Sequence, residues 1–214
     1  MSQPVFNNTL FKAMSRSAAK LTAFVVICIV VLLTVKFLTE GKIAQAQKET
    51  LIATFNEVLP ADRYNNQPLE DTIQISDKKQ LQKLGSKTPV TVYRARQDNL
   101  PAGIILQVVA PNGYSGNIYL LVAVLPNGKI SGVRTLNHLE TPGLGDKIEI
   151  AKHDWILNFN GRDLTSQNLQ SWAVKKDGGD FDQFTGATIT PRAVVSAVKN
   201  TLEVVNELGD TLYE

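Results

Sequence analysis

Residues 117–136 read NIYLLVAVLPNGKISGVRTL, and their pattern is the clearest indication of the fold of the C-terminal part of the chain. Two runs rich in strand-forming residues, 117–125 and 129–136, flank the turn residues Pro126, Asn127 and Gly128. Such runs on both sides of a short turn predict an antiparallel β-hairpin. Strands joined by a tight turn favour an antiparallel sheet over the parallel sheet of a doubly wound protein.

Further strands and a helix are predicted on either side of this hairpin. Residues 89–94 (PVTVYR) alternate in polarity, and residues 103–110 (GIILQVVA) are apolar almost throughout. A helix is predicted from about residue 191 to 208, with Thr190 as its N-cap and Pro191 as its first helical residue. We therefore expect an α+β domain over residues 89–214, in which helices flank an antiparallel sheet.

The N-terminal part of the chain has the composition of a membrane anchor. Residues 21–35 (LTAFVVICIVVLLTV) carry no charge, and their neighbours extend the run to a predicted transmembrane helix over residues 18–38. The alternatives are a buried core helix and a cleaved signal peptide, because Ala44-Gln45-Ala46 has the form of a cleavage site. That tripeptide lies well beyond the apolar run, so an uncleaved anchor is favoured.

Charge around the apolar run predicts its orientation. Lys12, Arg16 and Lys20 precede it without any acidic residue. This bias predicts a cytoplasmic N-terminus, residues 1–17, and places the residues beyond about 40 on the outer side of the membrane. A helical connector and loop, residues 39–88, link the anchor to the C-terminal domain, and the connector helix should end before Pro60.

Composition narrows the possible chemistry. The net charge is +2 with no basic cluster, so nucleic acid is not an expected partner. The one cysteine, Cys28, lies within the apolar run, which leaves no thiol outside it for a disulfide, a haem link or an iron–sulfur cluster. His138 and His153 are the only histidines, so no metal site is predicted. Redox chemistry outside the apolar run would need an organic cofactor or a metal ion coordinated mainly by oxygen atoms.

Residues 182–190, DQFTGATIT, precede the last helix. The pattern Asp-x-x-Ser/Thr-Gly-Ala-Thr resembles the flavinylation motif of bacterial FMN-binding domains, in which a flavin transferase attaches FMN through its phosphate to the final threonine. The resemblance implies that Thr188 is the phosphoryl-FMN acceptor, and that Asp182, Thr185, Gly186 and Ala187 complete the motif. Thr190 is interpreted as a helix cap rather than a second acceptor.

A second segment, residues 138–147 (HLETPGLGDK), resembles the loop that lies against the flavin in the same family. The resemblance implies flavin contacts from Glu140, Thr141, Gly143, Leu144 and Gly145, with Leu144 covering one ring face.

Simpler interpretations of the same residues stay open. Glu140 either anchors the loop or contacts the ring, and Thr141-Pro142-Gly143 also fits a type II turn. His138 is expected to be a hydrogen-bonded loop residue, Trp172 a packing residue, and Asp177-Gly178-Gly179 a turn.

Together with residues 172–180 (WAVKKDGGD) and the anchor, these motifs most closely resemble the G subunit of the Rnf (Rsx) complex, an ion-translocating ferredoxin:NAD oxidoreductase. The resemblance implies a membrane-bound electron carrier without catalytic residues of its own. Its implied partners are the other membrane and redox subunits, the flavin transferase and the lipid bilayer. The chain has no dinucleotide-binding fingerprint, so a relay role is expected.

Two alternatives are kept. The C subunit of a sodium-pumping NADH:quinone reductase shares the tetrad and the anchor but is usually longer, and a free-standing membrane-anchored flavin sensor would need no complex.

Overall fold

The computed structural model describes residues 8–213 and divides the chain into two compact units, Met1–Leu51 and Ile52–Glu214. Helix α1, Asn8–Val58, contributes to both units. Within it, Met14–Val58 has a window of mean hydropathy 2.8 whose side chains are not buried. It is the one helix among the described residues that is long and apolar enough to cross a membrane, as predicted. The expected cytoplasmic segment begins outside the described residues, since 1–7 are not among them.

The second unit contains a five-stranded antiparallel sheet in the order β1-β2-β3-β4-β5, which confirms the predicted α+β class. Each strand pairs with the strand that precedes it in the chain. The strands are β1 (Thr72–Ile75), β2 (Val90–Gln97), β3 (Leu100–Ala110), β4 (Ile118–Val124) and β5 (Ile130–Asn137). A short helix α2, Lys78–Lys83, connects β1 to β2.

The hairpin between β4 and β5 is formed as predicted. The Leu125 N–H donates to the Lys129 carbonyl at 2.8 Å, and Gly128 has a φ of +78°. Only glycine adopts this left-handed conformation at no steric cost, so Gly128 is the residue that lets the chain reverse here.

Helices pack on both faces of the sheet. Helix α3, Ile189–Leu208, buries an apolar face that includes Val194, Val198 and Leu202. Strand alternation leaves the opposite face to the end of α1, where Phe55, Val58 and Leu59 are almost fully buried. The contact is close enough that a Cβ on Gly132 would lie 2.7 Å from the Val58 carbonyl oxygen. Helix α1 ends at Val58, in agreement with the predicted stop before Pro60.

The start of α3 differs from the prediction. The helix begins at Ile189, so the predicted N-cap role of Thr190 is wrong. Thr188 occupies the cap position, and Thr190 is fully buried inside the first turn. Pro191 is tolerated as the third helical residue because N–H groups in the first turn have no intrahelical acceptor. The Thr190 hydroxyl, rather than capping the helix, donates a buried hydrogen bond to Glu140.

Between β5 and α3 the chain folds around five packed rings, called here the aromatic cluster. Phe159 and Phe181 have ring centroids 4.7 Å apart, and Trp155 meets Phe159 edge to face at 5.5 Å. Trp172 is 4% exposed within the cluster, which confirms its role as a packing residue. The members are Trp155, Phe159, Trp172, Phe181 and Phe184.

Candidate cofactor site

A cavity of about 370 Å³ lies at the N-terminal end of α3. It is bordered by the turn between β3 and β4, by the loop that follows β5, and by the loop that enters α3. The lining residues are Tyr114, Glu140, Thr141, Leu144, Gly145, Gly186, Ala187, Thr188, Ile189 and Thr190.

The two motifs singled out in the sequence therefore meet at one cavity. Most of the predicted cofactor residues line it: Glu140, Thr141, Leu144, Gly145, Gly186, Ala187 and Thr188. Gly143, Thr185 and Asp182 belong to the same loops but are not lining residues. Three lining residues were not predicted as contacts, namely Tyr114, Ile189 and Thr190.

The downstream loop, residues 182–188, turns sharply just before Thr188. The Ala187 N–H donates to the Phe184 carbonyl at 3.0 Å, and Gly186 has a φ of +80°. Glycine at the third position of such a four-residue turn is what a type II turn requires. Thr185, the second position, is exposed. The motif thus encodes a tight turn that presents Ala187 and Thr188 to the cavity.

Aromatic packing holds this downstream loop from behind. Phe184 is 6% exposed and meets Trp155 edge to face at 5.2 Å between ring centroids. The indole N–H of Trp155 donates to the Asp182 carbonyl at 2.7 Å. The Asp182 carboxylate pairs with the Lys175 Nζ at 2.5 Å. In this arrangement Asp182 holds the start of the loop.

The upstream loop, residues 138–146, contains a matching turn. The Thr141 carbonyl accepts from the N–H groups of Leu144 and Gly145, both at 3.1 Å, and Gly143 has a φ of +78°. The predicted turn at Thr141-Pro142-Gly143 is therefore confirmed. A Cβ placed on Gly186 would lie 3.8 Å from Leu144 Cδ2, so the two turns face each other.

Glu140 joins the three segments around the cavity. Its buried carboxylate accepts from the Ser115 N–H at 3.0 Å through Oε1, and from the Thr190 hydroxyl through Oε2. A Cβ on either Gly113 or Gly145 would lie 2.8 Å from a Glu140 carboxylate oxygen. These are the contacts of a loop anchor, one of the two roles considered for this residue.

A network of polar side chains, called here the upstream network, supports the same loop. His138 Nδ1 accepts from the Glu140 N–H at 3.0 Å, and His138 Nε2 lies 2.7 Å from Glu149 Oε1. Lys152 Nζ bridges Glu149 at 2.8 Å and Asp146 at 2.9 Å. His138 is thus a hydrogen-bonded loop residue, as expected.

The charges of the upstream network shift one another's pKa values. The pKa of Glu149 is lowered by its hydrogen bonds to Lys152 and then His138. Lys152, followed by the backbone N–H of Gly143, lowers the pKa of Asp146. Conversely, the two carboxylates raise the pKa of Lys152.

Residues 8–213 contain no group of three or more acidic, histidine or cysteine side chains placed to hold a metal ion.

Thr188 combines an available hydroxyl with a favourable site for an anion. It is half-buried at the cavity, and as the N-cap of α3 its side chain makes no capping hydrogen bond. No acidic residue lies in the first turn of α3, and helix geometry leaves the N–H groups of Ile189 and Thr190 without intrahelical acceptors. The positive end of a 20-residue helix favours a phosphate here.

Comparison with known proteins agrees with this geometry. The family model of the FMN-binding domain matches residues 113–203, and that of the RnfG N-terminal region matches residues 1–58. The first match spans all three segments of the cavity, and the second spans α1.

Similar proteins cover most of the chain. The G subunit of the ion-translocating oxidoreductase complex of Shewanella loihica is 43% identical over 201 residues, 94% of this chain and 93% of the relative. The same subunit from Vibrio cholerae is 45% identical over 82% of both chains. Its relative in Pseudoalteromonas atlantica is 48% identical over 77% of this chain and 75% of its own. The chain belongs to the family of G subunits of ion-translocating oxidoreductase complexes and contains the FMN-binding domain.

Proposed function

We propose that Thr188 carries FMN, joined through its phosphate, and that the chain relays electrons within a membrane-bound Rnf-type complex that exchanges electrons between ferredoxin and NAD. The observation that carries the proposal is the free hydroxyl of Thr188, which lies in the cavity wall at the start of α3. The motif turn and the helix N-terminus meet at this side chain.

The residues of the cavity fit such a group. Next to the Thr188 hydroxyl, the N–H groups of the first helical turn favour the phosphate. Gly186 and Ala187 carry at most a methyl group, so the backbone can approach closely. Leu144, 43% exposed on the facing turn, offers an apolar side chain to a flat ring. When bound, the flavin supplies one- and two-electron redox chemistry, and the protein supplies placement and polarity.

A covalent tether has a physical advantage at this site. The cavity is open and its described lining contributes one charged residue, Glu140, whose carboxylate is already bonded on both oxygens. Such a site holds a free nucleotide weakly, whereas a tether makes occupancy intramolecular. A flavin transferase acting on residues 182–188 is the partner that this chemistry requires.

The proposed location is the inner membrane, with the N-terminus in the cytoplasm and the FMN-binding domain in the periplasm. Support comes from the length and apolarity of α1 and from Lys12, Arg16 and Lys20, which precede its apolar part. Protease treatment of spheroplasts should degrade residues beyond α1 and spare the N-terminus. Protection of the domain until the cells are lysed would contradict this orientation.

The covalent link is tested by a pair of variants at one position. Coexpressed with a flavin transferase, the wild-type chain should gain the mass of FMN minus one water on the peptide that contains Thr188. Thr188→Ser keeps the hydroxyl and should retain flavin, whereas Thr188→Val keeps the shape and should lose it completely. Fluorescence of denatured gel bands and peptide mass mapping provide the measurements.

The control variant is Thr165→Val, which removes an exposed hydroxyl elsewhere and should leave flavin attachment unchanged. A fluorescent Thr188→Val band, or an unmodified wild-type chain in the presence of active transferase, would overturn the proposal. Purification of the membrane complex with the other subunits separates the relay role from that of a free-standing flavin sensor.

A further inference from the structure

The cavity has one aromatic residue among its described lining residues, Tyr114, on the turn between β3 and β4. Resting on the proposed function, we propose that Tyr114 is a ring-contacting residue, whose phenol lies against the isoalloxazine of the flavin on Thr188. Leu144 and Tyr114 would then bound the ring from two different loops.

Tyr114 is a largely exposed aromatic residue at the edge of the cavity. Its side chain is 69% exposed, whereas the five rings of the aromatic cluster are almost fully buried. Leu144 and Ile189, also at the cavity, are 43% and 45% exposed. Apolar side chains left in water around one cavity mark a surface that a ligand covers.

The backbone of Tyr114 is held in place on both sides. The following residue, Ser115, donates its N–H to Glu140 Oε1 at 3.0 Å. The preceding Gly113 packs so tightly that a Cβ there would lie 2.3 Å from the Gly116 carbonyl oxygen and 2.8 Å from Glu140 Oε1. The turn is therefore anchored to the residue that also bonds Thr190 at the start of α3.

This anchoring ties the position of the phenol to that of the acceptor. One carboxylate oxygen of Glu140 accepts a hydrogen bond from the Ser115 N–H, in the turn of Tyr114. The other accepts a hydrogen bond from the Thr190 hydroxyl, in the first turn of α3. An aromatic ring adds an offset-stacked or edge contact with a flat ring that an aliphatic side chain cannot give.

The test uses the full-length chain loaded with flavin by coexpressed transferase, with Tyr114→Phe and Tyr114→Ala. A phenol in contact quenches flavin emission by reversible electron donation, and a phenyl ring does not. We expect Tyr114→Phe to show a severalfold rise in flavin emission with unchanged visible circular dichroism. Tyr114→Ala should also lose most of that dichroism, because the ring no longer has an ordered aromatic neighbour.

Tyr64→Ala is the matched control. The Tyr64 hydroxyl donates a hydrogen bond to Asn56, far along the chain from the two motifs, so its loss should leave both signals unchanged. Because Tyr114 is exposed, Tyr114→Phe is not expected to impair folding. Wild-type emission and dichroism in both variants, on chains of equal flavin content, would overturn the assignment of Tyr114. A wild-type chain that gains no flavin would instead refute the covalent link itself.

Discussion

The two loops that face each other across the cavity contain the same kind of turn but are stabilised by different interactions. Each closes a four-residue turn with a glycine at φ near +80°, Gly143 at +78° and Gly186 at +80°. The upstream loop is held by the buried hydrogen bonds of Glu140 and by the more exposed ion pairs of the upstream network. The downstream loop is held by Phe184 and the aromatic cluster.

This contrast predicts which conditions should disturb each side of the site. Apolar packing involves no ionisable group and so does not depend directly on pH, and its loss leaves a cavity. Paired carboxylates depend on ionisation, and their loss leaves unsatisfied polar groups. The Leu144 side of the cavity should therefore be more sensitive to acid than the Thr188 side, where the one described ion pair, Asp182–Lys175, is exposed.

The largest expected effect is removal of the apolar anchor of the downstream loop. Phe184→Ala should lower the free energy of unfolding by about 3–5 kcal/mol, because it empties a site in the aromatic cluster. Thermal unfolding of the second unit measures the loss. Leu139→Ala is the control, since Leu139 is 75% exposed and should change stability little. Equal melting temperatures for the two variants would show that the loop does not depend on aromatic packing.

A smaller effect is expected from the anchor of the upstream loop. Glu140→Ala should destabilise by about 2–3 kcal/mol, since it leaves the Ser115 N–H and the Thr190 hydroxyl unpaired. Glu140→Gln can still bond both groups and should recover at least half of that loss. Chemical denaturation of the three proteins measures the difference. A glutamine variant as unstable as the alanine variant would mean that the charge of Glu140, rather than its hydrogen bonds, stabilises its contacts with Ser115 and Thr190.

The smallest effect is expected from acid. The pKa values of Asp146 and Glu149 are lowered in the folded chain, so the stability they contribute is present above their unfolded values of 3.8 and 4.5. It is lost as pH falls through the lowered values, from about pH 5 downward. Hydrogen exchange should therefore rise at residues 138–149 before it rises at residues 182–188. Lys152→Met removes the shared cation, so hydrogen exchange at residues 138–149 should already be faster at neutral pH and should depend less on acid.

Acid loosening that begins at residues 182–188 instead would contradict the assignment of polar forces to one loop and apolar forces to the other. A uniform rise across both loops would point to global unfolding, which far-ultraviolet circular dichroism detects separately.

Much of the fold could be predicted because its strongest signals are local. Pro126-Asn127-Gly128 between two apolar runs indicated a hairpin directly, and the apolar run at residues 21–35 indicated the long N-terminal helix. The turn between β2 and β3 was missed. It uses Asp98 and Asn99, with φ of +52° and +66°, and neither is the glycine that usually marks such a turn.

The cavity-lining residues that belong to a sequence motif could be predicted. Those that reach the cavity only through long-range contacts could not. Tyr114 stands beside turn residues, and its local sequence gives no reason to link it to Thr188. The link runs through Glu140, 25 residues from Ser115 and 50 from Thr190 in the chain. Thr190 was misassigned for the same reason, because a threonine before a proline resembles a cap unless its buried partner is known.

The meander of the sheet has a consequence for how the protein matures. Every strand pairs with its predecessor, so the sheet assembles through short loop closures and need not wait for distant segments. The cavity, in contrast, exists only after the last helix docks and Thr190 reaches Glu140. Any enzyme that recognises the assembled pocket must act at the end of folding, whereas one that reads the linear motif can act earlier. If Thr188 is the residue modified, as proposed, pulse-labelling it during refolding would distinguish early from late modification.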